Sequence, residues 1–292
     1  MAAGWGRRIL FGAIVIVALL VIAGLGIVGL SEMKLRKVHA IPPESITVPD
    51  DSASIERGRH LATAISKCTE CHGEDLGGQV MEMGPLGAFT ASNLTSGQGG
   101  VGPRNDAEWV RGIRHGVRPD GRALVFMPSM VFAALNQEDL GAIVAYVKSM
   151  PPVDHVLPAT HLGPIGRLLI VLKPERMLPV EGIDHSAPVP TVLPPALTPE
   201  YGKYLTVTGG CTYCHGDNLK GGIQEGPPGT PPSADLTSSG PTAKWSESDF
   251  ASALRTGQRP DGTSINPFMP WRSARLMTDE EIQAVWAYLR KL

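Results

Sequence analysis

The 292-residue sequence is poor in aromatic residues and has no excess of charge of either sign. Phe, Trp and Tyr make up 5% of the chain, too few for an ordinary side-chain core of this size. With 26 Lys and Arg against 28 Asp and Glu, the net charge is −2, which excludes a nucleic-acid binder and an acidic disordered tail. Gly and Pro are plentiful, at 34 and 26 residues. The composition predicts loop-rich domains whose core includes something other than side chains.

The N-terminal segment is uncharged over a long stretch. Twenty-two consecutive, mostly apolar residues run from Ile9 to Leu30, and about 20 residues of helix cross the hydrocarbon core of a bilayer. A cleaved signal peptide has a shorter apolar region of about 7–15 residues. Residues 1–31 are therefore predicted to be a retained transmembrane anchor in the lipid bilayer. Residues 32–51, with three prolines, are predicted to be a linker.

The rest of the chain contains an internal repeat at an offset of about 142 residues. Matching segments follow one another in the same order, among them Arg118-Pro-Asp-Gly121 with Arg259-Pro-Asp-Gly262 and Phe126-Met-Pro128 with Phe268-Met-Pro270. We place the two copies at 52–150 and 198–292. The connector at 151–197 holds ten prolines. Its apolar run, 165–172, is expected to pack as a plug between the copies, with an interfacial or partner-docking helix as the alternative.

Helical periodicity is the main secondary-structure signal in each copy. Helices are predicted near 54–66 and 106–115 and after Asn136 in the first copy, and near 199–208 and 247–256 and after Thr278 in the second. No strand signal competes. The predicted fold class is all-α, with an N-terminal transmembrane helix followed by two small helical domains.

The four cysteines form two Cys-x-x-Cys-His motifs, comprising Cys68, Cys71 and His72 and then Cys211, Cys214 and His215. Two cysteines three residues apart lie on one side of a helical turn, so both thiols reach the vinyl groups of one porphyrin and the histidine reaches its iron. This spacing is typical of c-type haem attachment. A four-thiolate zinc site would need loops of about 140 residues, far longer than those of zinc modules. The motifs predict two covalently bound c-type haems.

The repeat predicts a methionine as the second axial ligand of each haem. Met127 and Met269 lie 55 and 54 residues after the motif histidines, and proline follows each. Met81, Met83 and Met130 have no methionine at the equivalent position and are interpreted as packing residues, and His60 and His115 as surface histidines. Histidine and methionine ligation raises the haem potential and leaves no open coordination position, which suits electron transfer.

Both copies resemble class I cytochrome c domains, through the motifs above and a closing helix with Tyr146 or Tyr288. In that family the first and last helices cross closely, which Gly58 and Gly202 would permit. The Asn93-Leu-Thr95 and Arg118-Pro-Asp-Gly121 segments are similar to those in cytochrome c subunits of membrane-bound alcohol and gluconate dehydrogenases. Such subunits usually carry three haems and a different anchor, whereas this sequence has two motifs.

These features predict an electron carrier rather than an enzyme, anchored in a bacterial inner membrane with its haem domains in the periplasm. Its predicted partner is a membrane complex: an oxidase, a quinol-oxidising complex, a dehydrogenase or a photosynthetic centre. The alternative is a dihaem peroxidase, which needs an open ligand position. Four side chains are candidate donors to the haem propionates, namely Arg104, Arg118, Trp245 and Arg259.

Overall fold

The computed structural model describes residues 2–224, 226 and 229–292. Helix α1 (Ala2–Arg36) carries the one segment of these residues that is long and apolar enough to cross a membrane, and its most apolar stretch of 18 residues has no buried residue. The helix continues five residues past the predicted end of the anchor at residue 31. Lys34 and Arg36 occupy its last turn, where cations are favoured by the helix dipole.

The first copy is built from short helices, as its sequence predicts. These are α2 (Ser52–His60), which continues as a π-helical turn (Leu61–Ile65), α3 (Cys68–His72), α4 (Asp106–His115), α5 (Ser129–Phe132) and α6 (Gln137–Ser149). Helix α4 begins with a capping box, in which the Asn105 side chain accepts from the Glu108 amide and the Glu108 carboxylate accepts from the Asn105 amide. Such caps satisfy amides that have no partner within the helix.

The prediction of no strands is wrong for a small part of the first copy. Strands β1 (Gln79–Glu82), β2 (Gly87–Ala91) and β3 (His161–Leu162) form an antiparallel sheet in that order. The third strand comes from the connector, and Gly87 lies so close to it that a Cβ would be 2.1 Å from the His161 carbonyl oxygen. The β1–β2 hairpin is local and short, with four residue pairs, and β3 adds two pairs from a distant part of the chain. Strand preference depends strongly on such tertiary context, so strands this short leave a weak pattern in the sequence.

The plug prediction for the apolar run is also wrong. Residues of this run form helix α7 (Pro164–Leu172), which packs against α1 and against the sheet of the first copy. Arg167 donates to Ser31 Oγ at 2.9 Å. Gly166 approaches the hairpin so closely that a Cβ would lie 2.2 Å from the Leu86 carbonyl oxygen. The helix therefore joins the anchor to the first copy.

The second copy repeats the helices of the first. They are α8 (Pro199–Thr208), α9 (Cys211–His215), α10 (Glu247–Thr256), α11 (Trp271–Ala274) and α12 (Asp279–Leu289). Ser246 and Thr278 begin α10 and α12 with capping boxes. The helices predicted from periodicity are therefore present in both copies.

In each copy the first and last helices cross in backbone contact. A Cβ added to Gly58 would lie 1.9 Å from the Ala142 carbonyl oxygen, and one added to Gly202 would lie 1.9 Å from that of Ala284. Real Cβ atoms do not approach oxygen this closely, so only glycine fits either crossing. In the first copy, the Cβ added to Gly58 would also lie 3.0 Å from the Tyr146 Cβ. The close crossing expected from the resemblance is thus present twice.

The two copies contact each other directly and share one apolar core. The buried Tyr204 hydroxyl donates to Asp139 Oδ2 at 2.6 Å, and Arg57 Nε donates to Asp139 Oδ1 at 2.7 Å. His60 Nε2 lies 2.8 Å from Glu281 Oε2. Helix α5 packs on α8, and α11 packs on the π-helical turn, so equivalent elements meet in a reciprocal arrangement. This interface fixes the orientation of the two copies.

We predict that Gly202→Ala destabilises the protein, because the new methyl group would collide with the backbone at Ala284. Overpacking costs about 1–3 kcal/mol, and the better helix propensity of alanine returns about 1 kcal/mol. The free energy of unfolding, measured by denaturant titration in detergent, should fall. Gly26→Ala is the control, since no atom lies within 4 Å of a Cβ there. Equal stability of the two variants would contradict the tight crossing.

Candidate haem-binding sites

Each copy surrounds one large cavity, and the predicted site residues of that copy lie in its wall. Cys68, Cys71, His72 and Met127 line the first cavity, which holds about 1130 Å³ of space including its open side. Cys211, Cys214, His215 and Met269 line the second, of about 1490 Å³ measured in the same way. Apolar side chains form most of both walls.

A left-handed residue starts each Cys-x-x-Cys-His turn. Lys67 has φ 53° and Gly210 has φ 71°, and the one-turn helices α3 and α9 follow them. Gly73 and Gly216 end these helices with φ 81° and 79°. The reversals of backbone direction isolate a single turn, which presents two thiols and one imidazole to the same cavity.

Each motif histidine is held by a backbone carbonyl. His72 Nδ1 donates to the Ser92 carbonyl oxygen at 2.8 Å, and His215 Nδ1 donates to that of Ala234 at 2.7 Å. A proton fixed on Nδ1 leaves Nε2 as the free lone pair, which is how second contacts orient metal-binding imidazoles. Burial lowers the pKa of both histidines, with partial opposition from the carbonyl. Both rings are thus neutral and oriented for an iron ligand.

The Asn-Leu-Thr and Asp-Leu-Thr segments position those carbonyls. Asn93 Oδ1 accepts from the Thr95 amide at 2.9 Å and from the Thr95 hydroxyl at 2.8 Å. Asp235 Oδ1 makes the same two contacts with Thr237, at 2.8 and 2.7 Å. Each turn directly follows the residue whose carbonyl binds the histidine. These repeated segments therefore form the same side-chain-stabilised turn beside the carbonyl that accepts from the imidazole.

The two residues whose carbonyls accept from the histidines were not identified from the sequence. Position 92 is serine and position 234 is alanine, and neither side chain takes part in the contact. Because the acceptor belongs to the backbone, the amino-acid type at this position is unconstrained. The only signal in the sequence was the turn motif that follows.

The Met-Pro loops share one backbone hydrogen bond in both copies. The Ser129 amide donates to the Met127 carbonyl at 2.8 Å, and the Trp271 amide donates to that of Met269 at 2.8 Å. Phe126 stacks on Phe89 with ring centroids 4.8 Å apart, and it has φ 69°, a strained value for a non-glycine residue. This packing holds the first loop against the cavity.

A second methionine lines each cavity. Met81 lies in the wall of the first and Met277 in the wall of the second. Their equivalents in the other copy are not methionine, so the repeat still singles out Met127 and Met269. The additional methionines supply matched controls for any test of ligation.

Burial disfavours ionisation of three of the four cysteine thiols. Burial raises the pKa of Cys68 to about 12, and it also raises the pKa of Cys71 and Cys211. A thiol must ionise to act as a nucleophilic redox group or a zinc ligand. The environment therefore does not favour disulfide exchange or thiolate coordination at these three cysteines.

Buried hydrogen-bond donors at the first cavity suit a ligand that carries hydrogen-bond acceptors. Trp109 Nε1 and Ser66 Oγ are buried without a hydrogen-bond partner among the described residues, and both side chains line this cavity. Arg104 lines it too, and burial lowers the pKa of its guanidinium. A ligand with acidic groups would satisfy such donors.

The other sequence candidates fall into two groups. Arg259 lines the second cavity but donates to the Ser264 carbonyl at 2.7 Å. Trp245 and Arg118 are not among the lining residues described for these cavities. His60 and His115 do not line them either. The interpretation as a surface residue is wrong for His115, whereas His60 is half-buried. His60 binds Glu281 across the interface, while His115 is buried beside His185 of the connector.

Comparison with known proteins places the repeat in an established family. The model of the family described as cytochrome c matches residues 55–151 and 199–292. The cytochrome c subunit of a quinone-dependent alcohol dehydrogenase from Gluconacetobacter polyoxogenes is 27% identical, over 84% of this chain and 57% of the relative. The gluconate 2-dehydrogenase cytochrome c subunit of Pantoea cypripedii is 26% identical, over 83% of this chain and 61% of the relative.

A shorter match is the fructose dehydrogenase cytochrome subunit of Gluconobacter japonicus, 33% identical over 43% of this chain and 27% of the relative. This chain thus spans less than two thirds of the length of the relatives it matches. The family match covers most of the chain outside the anchor and the connector, and both matched regions contain a complete Cys-x-x-Cys-His motif. The chain therefore belongs to the cytochrome c family, whose domains bind haem c covalently.

Proposed function

We propose that this protein is a membrane-anchored dihaem cytochrome c that transfers electrons for a membrane-bound dehydrogenase. The observation that carries the proposal is that each of two contacting copies has a cavity, an attachment motif and a histidine oriented by a backbone carbonyl. The relatives named as dehydrogenase cytochrome subunits support the choice of partner. The chain itself carries electrons and leaves substrate oxidation to the partner.

Each site is proposed to hold one haem c through four residues. Cys68 and Cys71 attach the first haem, with His72 and Met127 as its axial ligands. Cys211 and Cys214 attach the second, with His215 and Met269 as its ligands. The haem supplies reversible one-electron chemistry at its iron. The chain supplies the apolar enclosure, the two fixed imidazoles and the methionine loops.

Residues of the first cavity are proposed to bind the acidic edge of its haem. Arg104 and Trp109 both line that cavity, and both side chains can donate hydrogen bonds. Phe250 replaces Trp109 at the equivalent position of the second copy and offers no donor. Arg259, which is equivalent to Arg118 rather than to Arg104, is a cation in the wall of the second cavity. The two haems would therefore differ in their polar surroundings and in their potentials.

The haem-binding copies are proposed to face the periplasm of a bacterial inner membrane. Thioether attachment to c-type apoproteins takes place in that compartment. Helix α1 then crosses the membrane once, and its contact with α7 keeps the first copy near the bilayer surface. A partner complex in the same membrane can dock beside the anchor.

Substrate-driven haem reduction tests the proposed function. Membranes containing the chain are treated with ethanol, gluconate or fructose, and the haem α band is followed with time. We expect at least one substrate to reduce both haems, with loss of this reduction when the dehydrogenase subunit is deleted. Reduction by quinol alone would reject the dehydrogenase partner. Rapid peroxide turnover by the reduced protein would instead support the peroxidase alternative.

The proposed number of haems predicts the outcome of removing one attachment motif. The double variant Cys211→Ala with Cys214→Ala should retain one covalent haem per chain, because the first motif is untouched. A pyridine haemochrome assay with haem staining after denaturing electrophoresis measures the ratio. The matching variant Cys68→Ala with Cys71→Ala should give the same ratio. Two haems in either variant would contradict the assignment.

The ligand assignment predicts a spectral loss in two variants and not in their controls. Met127→Leu and Met269→Leu should each keep both haems attached but weaken the sulfur-to-iron charge-transfer band and lower one midpoint potential. Met81→Leu and Met277→Leu alter methionines in the same cavity walls and should leave the band unchanged. Loss of the band in a control variant would reassign that ligand.

A further inference from the structure

Lys67 lies at the boundary between the two sites. It immediately precedes Cys68 in the first copy, and its side chain lines both the first and the second cavity. Ala64 and Ile65, also from the first copy, join it in the wall of the second cavity. The second site is therefore completed by residues of the first copy, and Lys67 is their only ionisable member among the described lining residues.

The backbone turn at this position does not require lysine. Lys67 adopts φ 53°, a left-handed conformation that disfavours residues with a Cβ, by about 1–2 kcal/mol. Gly210 occupies the equivalent position of the second copy with φ 71° and builds the same turn without a side chain. Because glycine builds the same turn without this cost, the lysine side chain has a role beyond forming the turn.

The ammonium of Lys67 bridges the two copies. Its Nζ donates to the Ile65 carbonyl oxygen at 3.0 Å in its own copy and to the Gly209 carbonyl oxygen in the other. Both acceptors are neutral backbone groups, so the positive charge is hydrogen-bonded without being neutralised by them. No carboxylate within salt-bridge distance of this ammonium is found among the described residues.

The charge acts at both attachment motifs. Burial raises the pKa of Cys68 and of Cys211, and the Lys67 ammonium opposes that rise at each thiol. Lys67 thus lines both cavities and carries a charge that acts on one thiol in each.

We propose that Lys67 is a shared electrostatic residue that raises the reduction potentials of both haems and fixes the contact across which they exchange electrons. This inference rests on the proposed dihaem function. Haems held at the two sites would exchange single electrons, with no bond made or broken. A fixed positive charge stabilises the reduced iron of each site, because reduction lowers the positive charge there. Partial burial limits the screening of this effect by salt.

The test is a spectroelectrochemical titration of the full-length protein in detergent. Lys67→Gln removes the charge and keeps most of the length, and we expect both midpoint potentials to shift downwards. Lys67→Arg keeps the charge and should restore both potentials. Lys203→Gln removes an exposed lysine of α8 that lines neither cavity, and it should leave both potentials unchanged.

Lys67→Gly provides a second variant in case the glutamine variant folds poorly. Glycine suits the left-handed turn, as Gly210 shows, and it also removes the charge. A downward shift of both potentials in this variant supports the proposal, and a shift of only one potential, or of neither, rejects it. An equal shift in Lys203→Gln would assign the effect to net charge and would also reject it. If the unmodified protein holds fewer than two haems, the proposed function fails first, which distinguishes the two failures.

Discussion

The backbone contact at Gly58 and Gly202 is the constraint on which the rest of this structure depends. The first helix of each copy leads directly into the attachment motif, and the last helix closes the opposite side of the cavity. Their distance is set by a glycine that lies where a Cβ would be 1.9 Å from a carbonyl oxygen. A wider crossing would move the thiols and the imidazole away from the methionine loop. The packing distance of the two helices therefore also affects the geometry of the haem site.

Much of the site is built from backbone groups that side chains only orient. The two imidazoles are held by the carbonyls of Ser92 and Ala234, and the polar turns that follow direct those carbonyls. A neutral imidazole with its Nδ1 proton fixed has one lone pair left for iron. The same arrangement in two copies of different sequence shows which contacts the chemistry needs and which residues are free to vary.

The interface between the copies holds the two sites in one relative position. Arg57, Asp139 and Tyr204 form a buried polar network across it, and His60 faces Glu281 beside it. Such a network costs free energy unless every member is paired, so it specifies one relative orientation of the copies. Residues of the first copy, including the charged Lys67, then complete the wall of the second cavity, so the two sites share part of their surroundings.

Local spacing and periodicity predict the apolar anchor, the helices and both attachment motifs, and comparison of the chain with itself reveals the repeat and its Met-Pro loops. The glycine crossing was implied by the resemblance to class I cytochrome c domains. Three features became evident only in the folded protein: β3 of the connector pairs with β2, α7 packs on the anchor rather than between the copies, and Lys67 lines both cavities. These features arise from contacts between residues far apart in the chain, or from backbone carbonyls, and neither leaves a pattern in the order of the side chains.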